Sequence, residues 1–557
     1  MSTSSPLHFV IIGGVAAGAS AAARARRLSE SAVITLIERG PDVSFANCGL
    51  PYFIGGEIKH REALAVQTPQ TLKAMLALDV RPNTEAVAID RAARRVRLRN
   101  LASGTTEELA YDKLLLAPGA VPVRPALPGI DDPRIFTLRS LGDMDRIKEA
   151  AASATRVAII GAGFIGLEMA EQFARLRKSV TVVELTDQVL PLLDRPMTRL
   201  LEDELRHNQV ELVLGDSVVA FESGATVGCR LASGREVVAD LVVLSIGVRP
   251  DTGLARDAGL MLGRRGHIRV NPFLQTSDPN IYAAGDAIET EDRVSHEPTS
   301  TPLGGPANRQ GRLVADHIFR PGTTSPYPGA LGTAIVRVFD VAAGITGWSE
   351  KRLRTAGRAY RTVTVNDNHH AGYFPGAKPL LLKLLWDLET NRVLGAQVVG
   401  LAGVDKRLDV IATAIAGGLT IDDLAQLELA YAPPFGAAKD IVNLAGFTAT
   451  NTRDGLVDPV DALPDDPAVQ VLDVRPPALV QQHPLPRRDT INIPLAALRS
   501  RLGELDRNRP VVTVCALGKT AYFAARVLAQ NGFQVSALTG GIRAHFDPRS
   551  PAKLPTP

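Results

Sequence analysis

TRVAIIGAGFIGLEMAEQFARLRKSVTVVELTD, residues Thr155–Asp187, opens on an apolar run, turns through Gly161, Gly163 and Gly166, continues as a helical stretch, and closes on a second apolar run ending in Glu184. This order of strand, glycine turn, helix and strand aims the first amides of the helix at a pyrophosphate, with the acid after the second strand placed to bond a ribose. A single pattern of this kind is a weak signal, because any tight strand-to-helix turn can carry it. A second copy lies upstream. LHFVIIGGVAAGASAAARARRLSESAVITLIERG, residues Leu7–Gly40, repeats the plan with Gly13, Gly14, Gly18 and Glu38, although Val15 stands where the middle glycine belongs. Two copies with acidic partners point to two bound dinucleotides.

The chain of 557 residues is too long for one hydrophobic core and predicts three or four domains. Apolar residues make up 45% and charged residues 22%, the balance of an ordinary globular protein. A formal net charge of +3 argues against a nucleic-acid or acidic-membrane binder. The three cysteines, Cys48, Cys229 and Cys515, cannot form a disulfide framework, and no CxxC or Cys/His cluster predicts a metal. A reducing, cytoplasmic compartment is expected. The apolar stretch HFVIIGGVAAGASAAA is preceded by no basic residue, is Gly-rich at its centre and runs into an Arg cluster, so it is not read as a secretory signal. No other stretch reaches membrane-spanning length, and a soluble protein is expected.

Two further segments complete the pattern. YDKLLLAPGA (Tyr111–Ala120) is an apolar strand ending in a turn at Gly119, and TSDPNIYAAGD (Thr276–Asp286) is another with an acid directly after its glycine. With these in place the chain resembles the flavoprotein disulfide reductases that bind two dinucleotides. The resemblance implies an α/β fold with two Rossmann-like domains, FAD in the first and NADH in the second, and Asp286 bonding the ribityl chain of FAD. It implies cofactor contacts at Gly13, Gly14, Gly18, Glu38, Gly119, Asp286 and Ala307, and at Gly161, Gly163, Gly166, Glu184 and Gly247. Because the nicotinamide fold is inserted into the flavin fold in that family, residues 1–118 and 250–322 are expected as the FAD domain and 119–249 as the NADH domain. An α+β dimerisation domain is expected over 323–447, making the protein a homodimer. The polar, Pro-rich and acidic stretch after it reads as a linker, 448–460, into a small α/β domain over 461–557.

SFANCGLPY, Ser44–Tyr52, carries Cys48. In the broad reductase family a second cysteine follows five residues on, where this chain has Phe53. A disulfide within the segment is therefore excluded, and the sulfur partner must come from elsewhere. The single-cysteine pattern resembles coenzyme A disulfide reductases and the related NADH oxidases and persulfide reductases, over residues 7–447, and implies that Cys48 is the redox residue. Asn47 can donate hydrogen bonds, a helix beginning in CGLPYFIGG is expected to lower the thiol pKa, and Gly49 is expected to open an approach for a flavin or bulky thiol. Cys229, in strand-like sequence, reads as structural. Ser44, Phe45 and Asn47 are candidate substrate contacts. Arg24 and Arg27 share a face of the first helix, and Lys73 can join them. On charge alone this is equally a solvated basic face. The resemblance implies coenzyme A as the ligand, its phosphates held by basic residues of this helix. It also implies that Tyr373 (HHAGYFPGA) and Tyr431 (LAYAPPFG) come from the partner subunit towards the thiol, where a phenol can protonate a leaving thiolate.

The last hundred or so residues resemble a rhodanese domain, through LDVR with Asp473 and Arg475, INIP, a strand ending in Cys515, and LTGG. The resemblance implies a ring of backbone amides that stabilises a persulfide on Cys515. The loop CALGKTA departs at Thr520, where many rhodaneses have arginine; Lys519 keeps one positive charge nearby. The expectation for the whole chain is NADH-driven reduction, through FAD and Cys48, of coenzyme A persulfide, polysulfide or coenzyme A disulfide, with Cys515 carrying sulfane sulfur. Two alternatives stand beside it: an NADH oxidase working through a Cys48 sulfenic acid, and a sulfurtransferase whose flavin domain senses redox state.

Overall fold

A computed structural model describes residues 6–545, arranged as two compact units: residues 6–185 with 213–332, and 186–212 with 333–545. In the first unit, the strands Ile281–Ala283, Lys113–Leu116, His8–Ile12, Val33–Ile37 and Asp79–Arg81 lie side by side in that order, all parallel. The middle strands are near-continuous apolar runs because both faces are covered, and Phe9, Ile11, Ile34, Leu36, Leu114 and Leu115 form the centre of the core. Helix Ala16–Leu28 makes the crossover between the first two strands of the chain and packs against helix Gly304–Phe319.

The second glycine turn builds a matching sheet in the same unit. Strands Ser179–Glu184, Arg156–Ile160, Leu241–Leu244 and Ile135–Phe136 run parallel, with helix Phe164–Arg175 as the crossover. Beside it lies an antiparallel meander, Val218–Ser223, Val227–Leu231 and Glu236–Ala239. Cys229 sits in its middle strand, opposite Phe221 and Val237, with no exposed surface, and burial pushes its thiol up to about 12. Its structural role follows from that setting.

The second unit holds a five-stranded antiparallel sheet ordered Ala334–Val338, Val341–Gly347, Val393–Gly400, Pro379–Asp387 and Tyr360–Asn368. Helices Val404–Gly417 and Ile441–Arg453 belong to the same part of the chain, the latter capped by Asp440, whose carboxylate accepts from the Val442 N–H. A second, parallel sheet follows: Asp458–Val460, Val535–Leu538, Val511–Val514, Gln470–Asp473 and Ile491–Asn492.

The segment expected as a linker is ordered at both ends. Residues Thr448–Arg453 complete a helix whose buried side, Ala445, Ala449 and Thr452, outweighs the weak helix propensity of its Thr and Asn residues, and Asp458–Val460 pairs with Ser536–Leu538. Among the described residues no helix is long and apolar enough to cross a membrane, and no cluster of His, Cys, Asp and Glu could hold a metal ion.

Candidate active site

The two glycine turns have one geometry. In the first, the Gly14 N–H donates to Glu38 Oε2 at 2.8 Å; in the second, the Ala162 N–H donates to Glu184 Oε2 at 2.7 Å. Each acid thus locks its own turn through one carboxylate oxygen. Glu38 Oε1 also accepts from the Gly40 N–H. Gly13 (φ +100) and Gly161 (φ +102) hold backbone that side chains avoid, and a Cβ on either would run into a carbonyl of the neighbouring strand end, Ala117 or Ser245. A Cβ on Gly18 or Gly166 would overlap the first glycine of its own turn, so these two glycines let helix and strand close up. Gly163 differs. A Cβ there meets nothing within 4 Å, so this position faces open space at the head of helix Phe164–Arg175. Gly247 faces open space as well, and Ala307 is buried in the first turn of helix Gly304–Phe319.

Cys48 lies in a 3-10 turn, Asn47–Gly49, that feeds the short helix Leu50–Ile54. It is the exposed cysteine of the three, and all three are free. The expected lowering of its thiol pKa is not what the geometry produces. Protein atoms crowd the sulfur although the residue keeps solvent-facing surface, and this desolvation, with the carboxylates of Glu168 and Asp286, raises the thiol above its ordinary value. The helix is too short to oppose them: it spans five residues, and Pro51 contributes no N–H. Gly49, expected to open an approach to the sulfur, is required by packing, since a Cβ there would overlap the Leu64 side chain.

The residues around Cys48 form a connected polar group. Ser44, at φ +47, donates its N–H to the Gly14 carbonyl at 2.8 Å, which ties the cysteine segment to the first turn. Phe45 bridges to Ala65. Asn47, oriented to satisfy its neighbours, donates to the Phe45 carbonyl (3.2 Å) and accepts from Arg139 (2.7 Å). Arg139 also lies 3.9 Å from Asp286 and packs over Gly119, where a Cβ would sit 2.5 Å from its Nη2. Burial raises the Asp286 carboxyl, and Arg139 partly offsets this. Sequence reasoning missed Arg139: TLRSLGD carries no motif. Nor did it find Glu168, which accepts from the Tyr52 hydroxyl at 3.2 Å and sits two residues past the last glycine of the second turn. At the place of the family's second cysteine, Phe53 is buried beneath Lys148, whose Nζ lies 3.9 Å from the ring centroid and donates to the Phe53 carbonyl at 2.6 Å.

The three basic candidates separate. Arg24 is taken up by Asp316 in an ion pair of 2.6 Å, with both side chains mostly buried. Arg27 and Lys73 are exposed, and their side chains make no hydrogen bond or ion pair among the described residues.

In the second unit, Tyr373 and Tyr431 are brought together, hydroxyl to hydroxyl at 2.9 Å, with 76% and 48% of their surfaces exposed. That bond raises the Tyr373 phenol. Their two segments are pinned to each other by Ala371 N–H donating to the Gly436 carbonyl, and by Arg407, which bonds the His369 carbonyl (2.6 Å) and the Asp440 carboxylate (2.6 Å).

Cys515 ends the strand Val511–Val514, is 2% exposed, and is followed by helix Lys519–Gln530. Its Sγ accepts from the Gly518 N–H (3.1 Å) and the Ala521 N–H (3.2 Å), so two backbone amides cradle the sulfur. Asp473 and Arg475 form a buried bidentate pair, and Arg475 also donates to the His483 carbonyl, so this pair braces the neighbouring loop.

Three family models match the chain. Residues 7–304 match the pyridine nucleotide-disulphide oxidoreductase model, 333–441 the dimerisation domain of the same family, and 456–545 the rhodanese-like domain. The chain is 34% identical over 442 residues to a coenzyme A disulfide reductase of Staphylococcus aureus, covering 79% of this chain and 99% of that protein. The crystal structure of reduced CoADR-RHD from Bacillus anthracis is 44% identical with a TM-score of 0.92, covering 97% of both chains. An NAD-dependent persulfide reductase from A. fulgidus is 39% identical with a TM-score of 0.92, covering 97% of this chain and 100% of that one.

Proposed function

The chain belongs to the pyridine nucleotide-disulphide oxidoreductases and carries a C-terminal rhodanese-like domain, and from that premise we propose that it uses NADH and FAD to reduce coenzyme A persulfide or polysulfide, or coenzyme A disulfide, through Cys48 alone. FAD, when bound, supplies the step between the two-electron donor NADH and a sulfur held on Cys48. The residues present fit both dinucleotides: two turns locked by Glu38 and Glu184, a middle position at Gly163 open to a pyrophosphate, and a half-buried Asp286 beside the cysteine.

The chain's own part is to hold the sulfur chemistry. Cys48 attacks the disulfide or persulfide bond of the substrate and keeps one sulfur group in covalent linkage, because no second cysteine stands at Phe53 to displace it. In this reading Arg27 and Lys73, both exposed, meet the phosphates of coenzyme A, while Arg24 is held by Asp316. In the homodimer, Tyr373 and Tyr431 of the other chain protonate the departing thiolate, their mutual hydrogen bond leaving one hydroxyl proton to donate. The observation that carries the reading is the cradle at Cys515 in the same chain as the exposed, unpaired Cys48. A sulfur-carrying site has use beside a reductase whose substrate is itself sulfane sulfur, which favours persulfide or polysulfide over disulfide.

Steady-state NADH oxidation with each substrate tests this. Cys48→Ser abolishes turnover with both coenzyme A disulfide and coenzyme A persulfide. Cys515→Ser leaves both nearly intact and removes only turnover that draws sulfur from another donor. Equal loss of coenzyme A persulfide reduction in the two variants would show that the thiols act as one centre. Rapid oxygen uptake by NADH alone would instead make the protein an oxidase.

A further inference from the structure

The rhodanese-like sheet does not hold its reactive loop by itself. In the antiparallel sheet of the second unit the strand Tyr360–Asn368 is an edge, and an edge strand presents unpaired backbone groups. Thr539 satisfies one pair of them: its hydroxyl accepts from the Thr364 N–H at 2.7 Å and donates to the Thr364 carbonyl at 3.0 Å. Two residues along the strand, on the same face, the Asn366 amide nitrogen donates to two carbonyls, Gly540 at 2.7 Å and Leu517 at 3.3 Å.

The Leu517 carbonyl belongs to the same planar peptide as the Gly518 N–H, and that N–H donates to Cys515 Sγ at 3.1 Å. Asn366 therefore grips the back of the peptide whose front faces the sulfur. Its other bond fixes the Gly540–Gly541 peptide, against which the loop is closely packed: a Cβ on Gly541 would stand 2.5 Å from Gly518 N and 2.7 Å from the Cys515 carbonyl oxygen. A donor placed on a peptide carbonyl orients that peptide and polarises its N–H. Asn366 Oδ1 is buried without a hydrogen-bond partner, so the side chain's polar contacts are its two donated bonds. The next residue, Asp367, is raised by burial and drawn back by the Asn368 N–H and by the charge of Lys519, the first residue of the Cys515 helix.

We propose that Asn366, from the dimerisation domain, is a positioning residue for the rhodanese site: it sets the Leu517–Gly518 peptide that stabilises sulfur bound to Cys515. The inference rests on the sulfur-carrier reading of Cys515. In loading, the Cys515 thiolate attacks a terminal sulfur of tetrasulfide, a new S–S bond forms, the adjacent S–S bond breaks, and trisulfide leaves with the electron pair. The product is a persulfide anion facing the Gly518 and Ala521 amides.

The test uses the full-length holoenzyme and inorganic tetrasulfide. Intact-mass spectrometry follows the persulfide on Cys515, and hydrogen exchange follows the peptide 515–521. With Asn366→Asp, which puts a carboxylate against two carbonyls, persulfide half-life falls at least tenfold and exchange of the peptide rises at least tenfold. Coenzyme A disulfide reduction stays within twofold. Arg361→Ala is the control, since Arg361 joins the same edge strand to Asp458 at 3.1 Å without touching the loop; it changes neither readout. Should Asn366→Asp fail to fold, Asn366→Ala, which withdraws both donors without adding charge, is read the same way. Unchanged half-life and exchange in the Asn366 variant overturn the proposal, and so does an equal effect from Arg361→Ala. If the wild-type protein takes up no sulfur, the carrier reading fails, and the exchange measurement alone decides whether Asn366 sets the peptide.

Discussion

Gly161→Ala and Gly163→Ala, two positions apart in the same turn, should damage the protein in opposite ways. Gly161 sits at φ +102, and a Cβ on it would lie 2.5 Å from the Ser245 carbonyl oxygen and 2.8 Å from its carbon, both backbone atoms that cannot swing away. A side chain in left-handed backbone costs about 1–2 kcal/mol, and forced displacement of packed neighbours about 1–3 kcal/mol more. The expected loss is about 2–5 kcal/mol, a large share of the roughly 5–15 kcal/mol that stabilises a folded domain. Gly163 is at φ −74, and its Cβ meets nothing. Gly163→Ala should leave thermal unfolding within about 0.5 kcal/mol of wild type. Its methyl instead occupies the space where a pyrophosphate approaches the helix, and about 1.4–2.8 kcal/mol of lost contact corresponds to a roughly 10- to 100-fold higher KM for NADH. Thermal unfolding of the flavin-loaded protein and NADH titration of flavin bleaching separate the two effects. If Gly163→Ala melts as early as Gly161→Ala, or leaves KM for NADH unchanged, the division of labour within the turn is wrong.

Other outcomes follow from the same geometry. NADH should be preferred over NADPH, because the carboxylate of Glu184 at the end of the strand after the turn would repel a 2′-phosphate and Leu185, Thr186 and Asp187 supply no cation to hold one; equal kcat/KM for the two nucleotides refutes this. Tyr431→Phe breaks the 2.9 Å bond to Tyr373 and should slow thiol release at least tenfold while flavin reduction by NADH stays within twofold; a slowed reductive half-reaction would place the tyrosines elsewhere in the cycle. Glu168→Gln removes one of the carboxylates that raise the Cys48 thiol, so the thiolate fraction at a given pH increases and the alkylation profile of Cys48 moves to lower pH. A profile that stays in place, or moves up, would mean that Glu168 does not act on the sulfur.

What the sequence revealed and what it concealed divide along a physical line. The turns at Gly13 and Gly161 were legible because their demands are local: a strained backbone, a close helix and an acid at the end of the next strand all fall within one short segment. The amides around Cys515 were expected only through the resemblance of the surrounding segments to a rhodanese domain. Asn366 was not, since its importance depends on which strand lies at the sheet edge and which loop arrives there from more than a hundred residues away. Arg24 and Arg27 look equivalent on a helix face, yet only Arg24 meets Asp316, far along the chain. The direction of the Cys48 shift depends first on how far tertiary packing desolvates the sulfur and then on Glu168 and Asp286, neither of which is near it in sequence, so a local reading of the helical turn could not supply it.

The strand Ile281–Ala283, which lies beside Lys113–Leu116 in the first sheet, has a consequence for how this chain is made. Until it leaves the ribosome, Lys113–Leu116 is an open apolar border with no neighbour on that side. At about 5–20 residues per second, the wait between Leu116 and Ile281 is roughly 10–30 s. Throughout that interval the nascent protein exposes an edge able to pair with any passing extended chain. Slower elongation between these points, or a destabilised early sheet, should therefore reduce the yield of soluble protein without altering any residue of the finished site.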